Sequence, residues 1–298
     1  MLDTVIVGGS SAGLSAALVL GRSLRNVVVI DDQKPCNRFS HASHGFITRD
    51  GILPAELLQI AREQLQRYPS VTLKTAVAQH IERIDAGFEI TSSDGSKLQA
   101  RTVLLATGLI DELPVLKGIK DLWGKSVFHC PYCDGYEVRG RVIAVYGEDD
   151  TALHLAIMLR NWTDTLTVCA ARSWNLSTAQ RERLTRNGIQ IVEQPISVLE
   201  GEGGQLHTIR FDDGTALSCN ALFIRPKSTQ RTSFASELGC EMNDQNLVKV
   251  DARGRTNQGG VYAAGDMSSP IRSVAIAVAQ GAAAAYGINA DLVEKDYA

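Results

Sequence analysis

The chain has 298 residues, with 30 Lys and Arg against 33 Asp and Glu, which gives a formal net charge of −3 at pH 7. This length is about twice that of a typical domain and predicts two domains, or one domain inserted in another. The slightly acidic balance argues against nucleic-acid and membrane-surface partners. The longest apolar stretch, Val274 to Ile288, is shorter than the ~18 residues that a membrane span requires. The first residues enter an apolar strand without a leader sequence, which predicts a cytoplasmic location.

The N-terminal region has the pattern of a βαβ unit. A strand at Val5 to Val7 leads into a glycine turn and a helix, and a second strand, Val27 to Ile30, follows. The turn resembles the G-x-G-x-x-G phosphate cradle with Ser in place of the middle Gly, and its backbone N–H groups are expected to face a diphosphate. These residues are Gly8, Ser10, Ser11, Ala12 and Gly13. On this motif alone, a tight turn in another α/β fold stays an alternative.

Two acids end the second strand, and they complete the predicted nucleotide site. Asp31 lies where an acidic residue accepts the hydroxyl groups of a ribose, and Asp32 follows it.

A second βαβ pattern follows further along the chain. It runs from a strand at Val142 to Tyr146 through a turn and a helix, Ala152 to Trp162, to a strand at Leu166 to Cys169. Strand patterns also cover Val71 to Ile84 and Phe88 to Ala100, and a small-residue helix is predicted over Ile271 to Tyr286. The sequence therefore predicts an α/β fold with two Rossmann-like halves.

The six cysteines contain one motif, Cys130-Pro131-Tyr132-Cys133. Two thiols at this spacing suit reversible exchange, in which one thiolate attacks a partner disulfide and the other resolves the mixed disulfide. Half of a zinc site is the alternative, but the sequence has no second cluster to complete it, so no metal is predicted. The other cysteines stand alone: Cys36, Cys169, Cys219 and Cys240.

Four segments, taken in order and spacing, resemble the low-molecular-weight thioredoxin reductase family over essentially the whole chain. They are Gly8 to Gly13, Ala106-Thr107-Gly108, Cys130 to Gly135 and Gly260 to Asp266. The resemblance implies an FAD-binding domain at 1–113 and 244–298. It also implies an NAD(P)-binding-like domain with the three-layer ββα fold, inserted at 114–243 and carrying the cysteine pair. A homodimer is implied as well.

The resemblance also assigns further residues to the FAD site. These are Asn37, Arg38, Ala106, Thr107, Gly108, Gly265, Asp266, Ser273 and Val274. The last two lie at the predicted start of the final helix, whose N-terminus would stabilise negative charge on a reduced flavin.

By the same resemblance, Cys133 faces the flavin, Cys130 exchanges with substrate, and Asp134 shuttles a proton to and from the thiolates. A partly buried carboxyl can have its pKa raised for that task. A helix N-cap is the alternative role for Asp134, and both roles can hold.

The second βαβ unit departs from the reductases at two points. Glu148 and Asp149 replace the glycines that approach the NADPH diphosphate, and like charges at about 4 Å cost ~1 to ~4 kcal/mol. The following strand ends at Ala170-Ala171 in place of a cationic cluster, and Arg172 is the nearby cation. We therefore expect this domain to keep its fold without binding NADPH.

A subgroup resemblance agrees with this expectation. The cysteine motif, with His41 and His44 after the second strand, is similar to the dithiol oxidases of the gliotoxin and holomycin type and to ferredoxin-linked or diflavin relatives. His44, and less strongly His41, is a candidate proton relay beside the flavin, and an ordinary loop histidine is the alternative. Those oxidases carry His after the second cysteine, whereas this chain has Asp134, so the direction of electron flow stays open.

The leading hypothesis is an FAD-dependent thiol–disulfide oxidoreductase that works without NADPH. Its substrate is a small dithiol or disulfide, or a thioredoxin-like protein, and its other electron partner is oxygen, a ferredoxin or a second flavin. The alternatives are an NADPH-dependent thioredoxin reductase and a flavin-binding redox sensor.

Overall fold

The computed structural model describes residues 1–147, 149–171 and 174–298, which form two compact units. The first unit comprises Met1–Arg38, Pro54–Ile110 and Ser228–Ala298. The second comprises Phe39–Leu53 and Asp111–Lys227.

These units differ from the expected domains of 1–113 with 244–298 and 114–243 at three segments, of which the shortest, residues 111–113, lies in the second unit. Residues 228–243 lie in the first unit, because Phe234 and Ala235 are buried in its core. Residues 39–53 lie in the second unit, where the backbone of Phe39 approaches Gly124.

The strands and helices are numbered here in chain order. The strands are β1 Leu2–Val7, β2 Val27–Asp31, β3 Val71–Thr75, β4 Ala78–Ile84, β5 Gly87–Ser92, β6 Lys97–Leu105, β7 Leu109–Glu112, β8 Val127–Phe128, β9 Ile143–Gly147, β10 Leu166–Ala170, β11 Gln190–Val192, β12 Ile196–Glu202, β13 Gln205–Phe211, β14 Ala216–Ser218, β15 Ala221–Ile224, β16 Lys227–Gln230 and β17 Val261–Ala263. The helices are α1 Ser11–Arg22, α2 Pro54–Leu65, α3 Ile119–Leu122, α4 Pro131–Asp134, α5 Asp150–Leu159, α6 Thr178–Arg186, α7 Phe234–Glu237 and α8 Val274–Tyr297. Two 3-10 helices, Cys36–Phe39 and Asp266–Ser268, complete the set.

The first unit is built on a seven-stranded sheet in the order β3-β2-β1-β6-β5-β4, with β17 also paired to β6. Its central strands are parallel, and Val5 pairs with Val28 on one side and Val103 on the other. These strands are buried on both faces, which explains their continuous apolar sequences.

Helices α1 and α8 cover one face of this sheet and share its core with Ile6. The two helices approach closely at Gly281, where a β-carbon would overlap the backbone of Ala12. The opposite face packs against Phe234 of α7, in a core that also contains Phe88 of β5. The sheet is therefore covered on both faces.

The second unit repeats this design around a parallel sheet in the order β11-β10-β9-β15-β8. In the register of its centre, Val145 pairs with Val168 and Phe223. Helix α5 packs on one face, and the antiparallel sheet β12-β13-β14 contributes Leu199 to the core on the other. The predicted α/β fold with two Rossmann-like halves is confirmed.

Some element bounds differ from the predicted ones. The strand expected over Val71 to Ile84 is two strands, β3 and β4, and the last helix extends from Val274 to Tyr297. Each described helix is too short or too polar to span a bilayer.

Candidate active site

Three of the predicted cofactor-binding segments meet at one edge of the first unit's sheet. In the parallel register, Val7 pairs with Leu105, and Leu105 pairs with Ala263. The residues that follow these strand ends are Gly8, Ala106 and Ala264-Gly265. The carboxyl edge of a parallel sheet is where α/β proteins place their ligands, so the structure brings these segments together at a suitable place.

The turn after β1 has the geometry of a phosphate cradle. Gly8 has φ +108°, and a β-carbon at Gly13 would overlap the carbonyl oxygen of Gly8, so a side chain at either position would disrupt the turn. Among the described residues, no side chain caps the N-terminus of α1, which follows Ser10. The N–H groups of the first turn of α1, from Ser11 onward, are therefore available to an anionic ligand.

Both acids after β2 are held by protein donors. Asp31 accepts hydrogen bonds from the backbone N–H of Gly9 at 3.0 Å and from Arg62 of α2 at 3.1 Å. Asp32 lies 3.5 Å from Arg231. A carboxylate can accept several hydrogen bonds, so Asp31 keeps acceptor capacity for a ribose.

The other predicted cofactor residues before α8 lie in turns near the same edge. Asn37 and Arg38 are in the 3-10 helix, where Arg38 donates to the carbonyl of Pro35 at 3.0 Å. The Thr107 hydroxyl lies 3.7 Å from the sulfur of Met267, and Gly108 has φ +70°.

The turn after β17 is held to α8. The N–H of Gly265, whose φ is +82°, donates to Gln280 at 3.0 Å. Arg272 lies 3.3 Å from Asp266 and also donates to the thiol of Cys36 at 3.1 Å. This guanidinium thus joins three segments of the site.

The predicted start of α8 is as expected. The Ser273 side chain caps the helix by accepting from the N–H of Ile276 at 3.2 Å, and Val274 is the first helical residue. The side chains of this first turn are only partly buried, which leaves room for a ligand against them.

In the second unit, Cys130 and Cys133 form a disulfide. Cys130 precedes the single turn of α4, and its carbonyl accepts from the N–H groups of Cys133 at 3.1 Å and Asp134 at 3.2 Å. Tyr132, between the cysteines, is 76% exposed and meets Trp162 edge to face. The disulfide therefore lies at an accessible aromatic surface.

Asp134 is the last residue of α4, and Cys130 occupies the N-cap position. The alternative role of Asp134 as an N-cap is therefore wrong, because the helix begins before the second cysteine and not after it. Burial, and after it the negative charge of Glu137, raise the pKa of the Asp134 carboxyl to about 7, and the charge of His44 opposes this shift. A carboxyl with this pKa can accept and release protons near neutral pH.

His44 lies beside this carboxyl group in the second unit. Its Nε2 is 3.5 Å from Glu137 and its Nδ1 is 3.6 Å from Asp50. His41 is exposed, and the ring of His129 packs against Trp123 at 5.8 Å. Of these three histidines, His44 is the one whose charge acts on Asp134.

In the second unit, the turn that corresponds to the phosphate cradle contains Asp149, and the side chain of Asp149 caps the helix that follows. Asp149 is the N-cap of α5 and accepts from the N–H of Thr151 at 2.9 Å and from its hydroxyl at 2.6 Å. Asp150 accepts from Gln180 of α6. Glu148 and Arg172, to which the sequence assigned roles at this turn, lie outside the described residues.

The end of β10, where the sequence has alanines in place of a cationic cluster, is apolar and buried in the core of the second unit. Ala170 and Ala171 are buried, and Trp174 packs in the same core as Ala170 and Ala152. Arginine side chains at these two positions would have to be buried, so they are not a simple replacement for the missing cationic cluster.

The family model described as "Pyridine nucleotide-disulphide oxidoreductase" matches residues 2–281. The chain belongs to this family. The thioredoxin reductase aclD from Aspergillus oryzae is 32% identical to it over 304 residues, which cover 98% of this chain and 96% of aclD. The predicted resemblance to thioredoxin reductase-like proteins is thereby confirmed, and so is the prediction of a disulfide oxidoreductase.

Solved structures support the same assignment. The putative thioredoxin reductase TrxB from Bacillus anthracis has a TM-score of 0.95 with this oxidoreductase at 35% identity, over 100% of both chains. The protein HlmI has a TM-score of 0.94 at 32% identity, over 99% of this chain and 93% of HlmI.

Two other thiols of the oxidoreductase are unsuited to exchange. Cys169 and Cys219 are buried in the second unit, and burial raises the pKa of Cys219 to about 11 and that of Cys169 further. Thiols that stay protonated are poor nucleophiles, so these two cysteines are structural.

The sequence did not predict two contacts of the site, that of Arg62 with Asp31 and that of Glu137 with His44. No sequence signal relates Arg62 to Asp31, because the contact joins α2 to the end of β2. Glu137, by contrast, follows Asp134 at the i+3 spacing that places two side chains on one helical face, and this spacing is visible in the sequence.

Proposed function

We propose that this chain is an FAD-dependent thiol–disulfide oxidoreductase that exchanges electrons between FAD, the Cys130–Cys133 pair and an external dithiol or disulfide, without using NADPH. The observation that carries this proposal is the contrast between the two glycine-turn sites, one open at its helix N-terminus and the other capped by a carboxylate.

The first unit fits FAD. The strained backbone at Gly8 and the α1 N-terminus suit a diphosphate, and Asp31 suits a ribose. The Gly265-Asp266 turn and the start of α8 would contact the remainder of the cofactor. When bound, FAD supplies a two-electron carrier, and the chain's own residues bind it, orient it and manage protons.

The second unit does not fit NADPH. The Asp149 carboxylate accepts from the backbone N–H of Thr151, one of the groups with which the α5 N-terminus would bind a phosphate, and it adds a negative charge there. A carboxylate facing a diphosphate would weaken binding by about tenfold for each 1.4 kcal/mol of repulsion, and Glu148 is a second acidic residue next to Asp149 in the sequence. The buried alanines after β10 offer no cation for the 2′-phosphate.

The cysteine pair supplies the exchange chemistry. We assign Cys130 as the thiol that exchanges with substrate and Cys133 as the thiol that faces FAD, with Asp134 as the group that holds a proton between steps. The exposed Tyr132 beside the disulfide suits either a small dithiol or a thioredoxin-like protein. Oxygen, a ferredoxin or a second flavin would be the other electron partner.

The decisive experiment is an anaerobic titration of purified protein, followed by flavin absorbance. Dithiothreitol is expected to reduce the flavin, and NADPH is expected to leave it oxidised. Reduction of the flavin by NADPH within the time of one catalytic turnover, seen as a loss of flavin absorbance, would contradict the proposal. Release of FMN instead of FAD on denaturation would contradict the cofactor assignment.

A second candidate is an NADPH-dependent thioredoxin reductase, which the names of the relatives favour. The same titration separates the two candidates. We further propose, from the family resemblance, a cytoplasmic homodimer. Light scattering during size-exclusion chromatography would give the mass of the assembly.

A further inference from the structure

We propose that Glu137 and His44 form a proton relay that connects Asp134, beside the disulfide, with solvent at Asp50. This inference rests on the proposed exchange chemistry of Cys130 and Cys133 and adds two residues that position and move its protons.

The geometry of the relay begins at α4. Asp134 ends α4, the N–H of Gly135 still donates to the carbonyl of Pro131 at 2.8 Å, and Glu137 follows two residues later, where its charge acts on the Asp134 carboxyl. Glu137 then lies 3.5 Å from Nε2 of His44, and Asp50 lies 3.6 Å from its Nδ1. An imidazole can take a proton at one nitrogen and release one at the other.

The exposure of the side chains gives the path a direction. His44 is 22% exposed and Glu137 is 41% exposed, whereas Asp50 is 71% exposed. Asp134 is buried enough for its pKa to be raised by desolvation. The path therefore leads from a sheltered carboxyl through Glu137 and His44, whose side chains lie 3.5 Å apart, to the exposed Asp50.

The loop that carries His44 is held in a defined conformation. Ser43 and Ile52 form an antiparallel bridge, with a hydrogen bond of 2.7 Å from the N–H of Ser43 to the carbonyl of Ile52. Asp50 accepts from the N–H of Gly45 at 2.7 Å, and Gly45 has φ +72°. A loop fixed at its base and across its tip presents the imidazole in one place, as a relay requires.

The exchange reaction needs more than one proton acceptor. The first thiol of an external dithiol loses its proton and its sulfur bonds to Cys130, while the Cys130–Cys133 bond breaks and Cys133 leaves as a thiolate. The second external thiol then loses its proton and attacks the mixed disulfide, and Cys130 leaves as a thiolate. Two electrons reach the protein and two protons leave the external thiols. Each leaving thiolate can take one proton, and a proton that is not taken there passes to Asp134 and through the relay to solvent.

The structure predicts that the two relay residues act on Asp134 in opposite directions. Glu137→Gln removes a negative charge and should lower the pKa of Asp134, whereas His44→Gln removes a positive charge and should raise it. Desolvation and the two side chains named here are the groups that act on this carboxyl.

The test measures exchange itself and does not depend on flavin absorbance. Protein in the disulfide form is mixed with dithiothreitol between about pH 5.5 and 9, quenched with N-ethylmaleimide, and the alkylated thiols are counted by mass spectrometry. The rate should rise as Asp134 deprotonates. The pH at the midpoint of this rise should be lower in Glu137→Gln and higher in His44→Gln than in the wild type.

The exchange rate of His44→Gln should also fall roughly tenfold, less than the ~10² to 10⁴ of a directly positioned acid or base, since water can replace part of the relay. His207→Gln is the matched control, because His207 of β13 is an exposed histidine of the same unit, and it should behave as wild type. Glu137→Gln changes a partly exposed side chain and is expected to fold even if His44→Gln does not.

Unchanged midpoints in both variants, or shifts in the same direction, would overturn the relay. An equal effect of His207→Gln would do so as well. If the relay is right and the proposed function is wrong, the result is different. Wild-type protein then exchanges thiols with the pH dependence described above, but dithiothreitol does not reduce its flavin.

Discussion

Replacing Asp134 by Asn should stabilise the second unit by an amount that grows as the pH rises from about 4 to about 7. The folded protein raises the pKa of this carboxyl from 3.8 to about 7, chiefly by burial. Between these two values the folded state holds a proton that the unfolded state has lost, so the free energy of unfolding falls as pH rises. Asn has a similar shape and never ionises, so the variant avoids this loss.

The size of the effect follows from the shift. Each pKa unit corresponds to 1.36 kcal/mol, so the shift of roughly three units gives about 4 kcal/mol as an upper bound. The advantage of Asp134→Asn should be near zero at about pH 4, grow with pH, and reach its full size above about pH 7. Below pH 4 both states are protonated and the two proteins should unfold alike.

Tryptophan fluorescence provides a local assay, because the three tryptophans, Trp123, Trp162 and Trp174, all belong to the second unit. Guanidinium unfolding at about pH 4.5 and pH 8.5 would give the difference in stability at each pH. Asp121→Asn, at an exposed position of the same unit, is the control and should show no pH-dependent difference. A variant that is no more stable than wild type at the higher pH would refute the reasoning. An equal gain at both pH values would show that packing, and not ionisation, is responsible.

Three further predictions concern the cysteine pair and the closed nucleotide turn. Cys130→Ser should leave Cys133 as a thiolate beside the flavin and give a long-wavelength charge-transfer band, and the appearance of that band in Cys133→Ser instead would reverse the two roles. Glu148→Gly combined with Asp149→Ser removes two carboxylates while Ser keeps a helix cap, so NADPH affinity by calorimetry should rise at least about tenfold; no rise would show that charge repulsion is not the cause. Ala170→Arg should destabilise the second unit by about 3 kcal/mol or more in guanidinium, because its charge would be buried without a partner, and a stable variant would contradict the burial of this strand end.

The sequence predicted the strands and helices that are determined by residues close together in the chain. Continuous apolar strands next to a glycine turn, as around Gly8, leave few folds other than a parallel sheet with a helix against it. Of the helices that the sequence pattern did not predict, the two longest are nevertheless marked in it. Helix α6 begins with a Ser177 and Gln180 capping box, and α2 begins at Pro54, a residue preferred in the first turn. Helix α6 is largely polar and buries Leu184, so its apolar pattern is weak.

The site was predictable in its motifs and not in its side-chain partners. Asp149 has the sequence position of an N-cap, directly before a helical pattern, and this role could have been inferred together with its repulsion of phosphate. The pairing of His44 with Glu137 could not be inferred, because it joins residues that are far apart in the chain and depends on where the loop folds. The contact of Arg62 with Asp31 depends on tertiary packing in the same way.

The assignment of residues 39–53 to the second unit has a practical consequence for dividing this protein. The chain passes between the units at 38/39, 53/54, 110/111 and 227/228, so the continuous piece 111–227 lacks part of the unit to which it belongs. A fragment or chimera made by cutting at 111 and 227 would carry the cysteine pair and Glu137 but would lose His44. A chimera that exchanges this unit between relatives therefore has to include both residues 39–53 and residues 111–227.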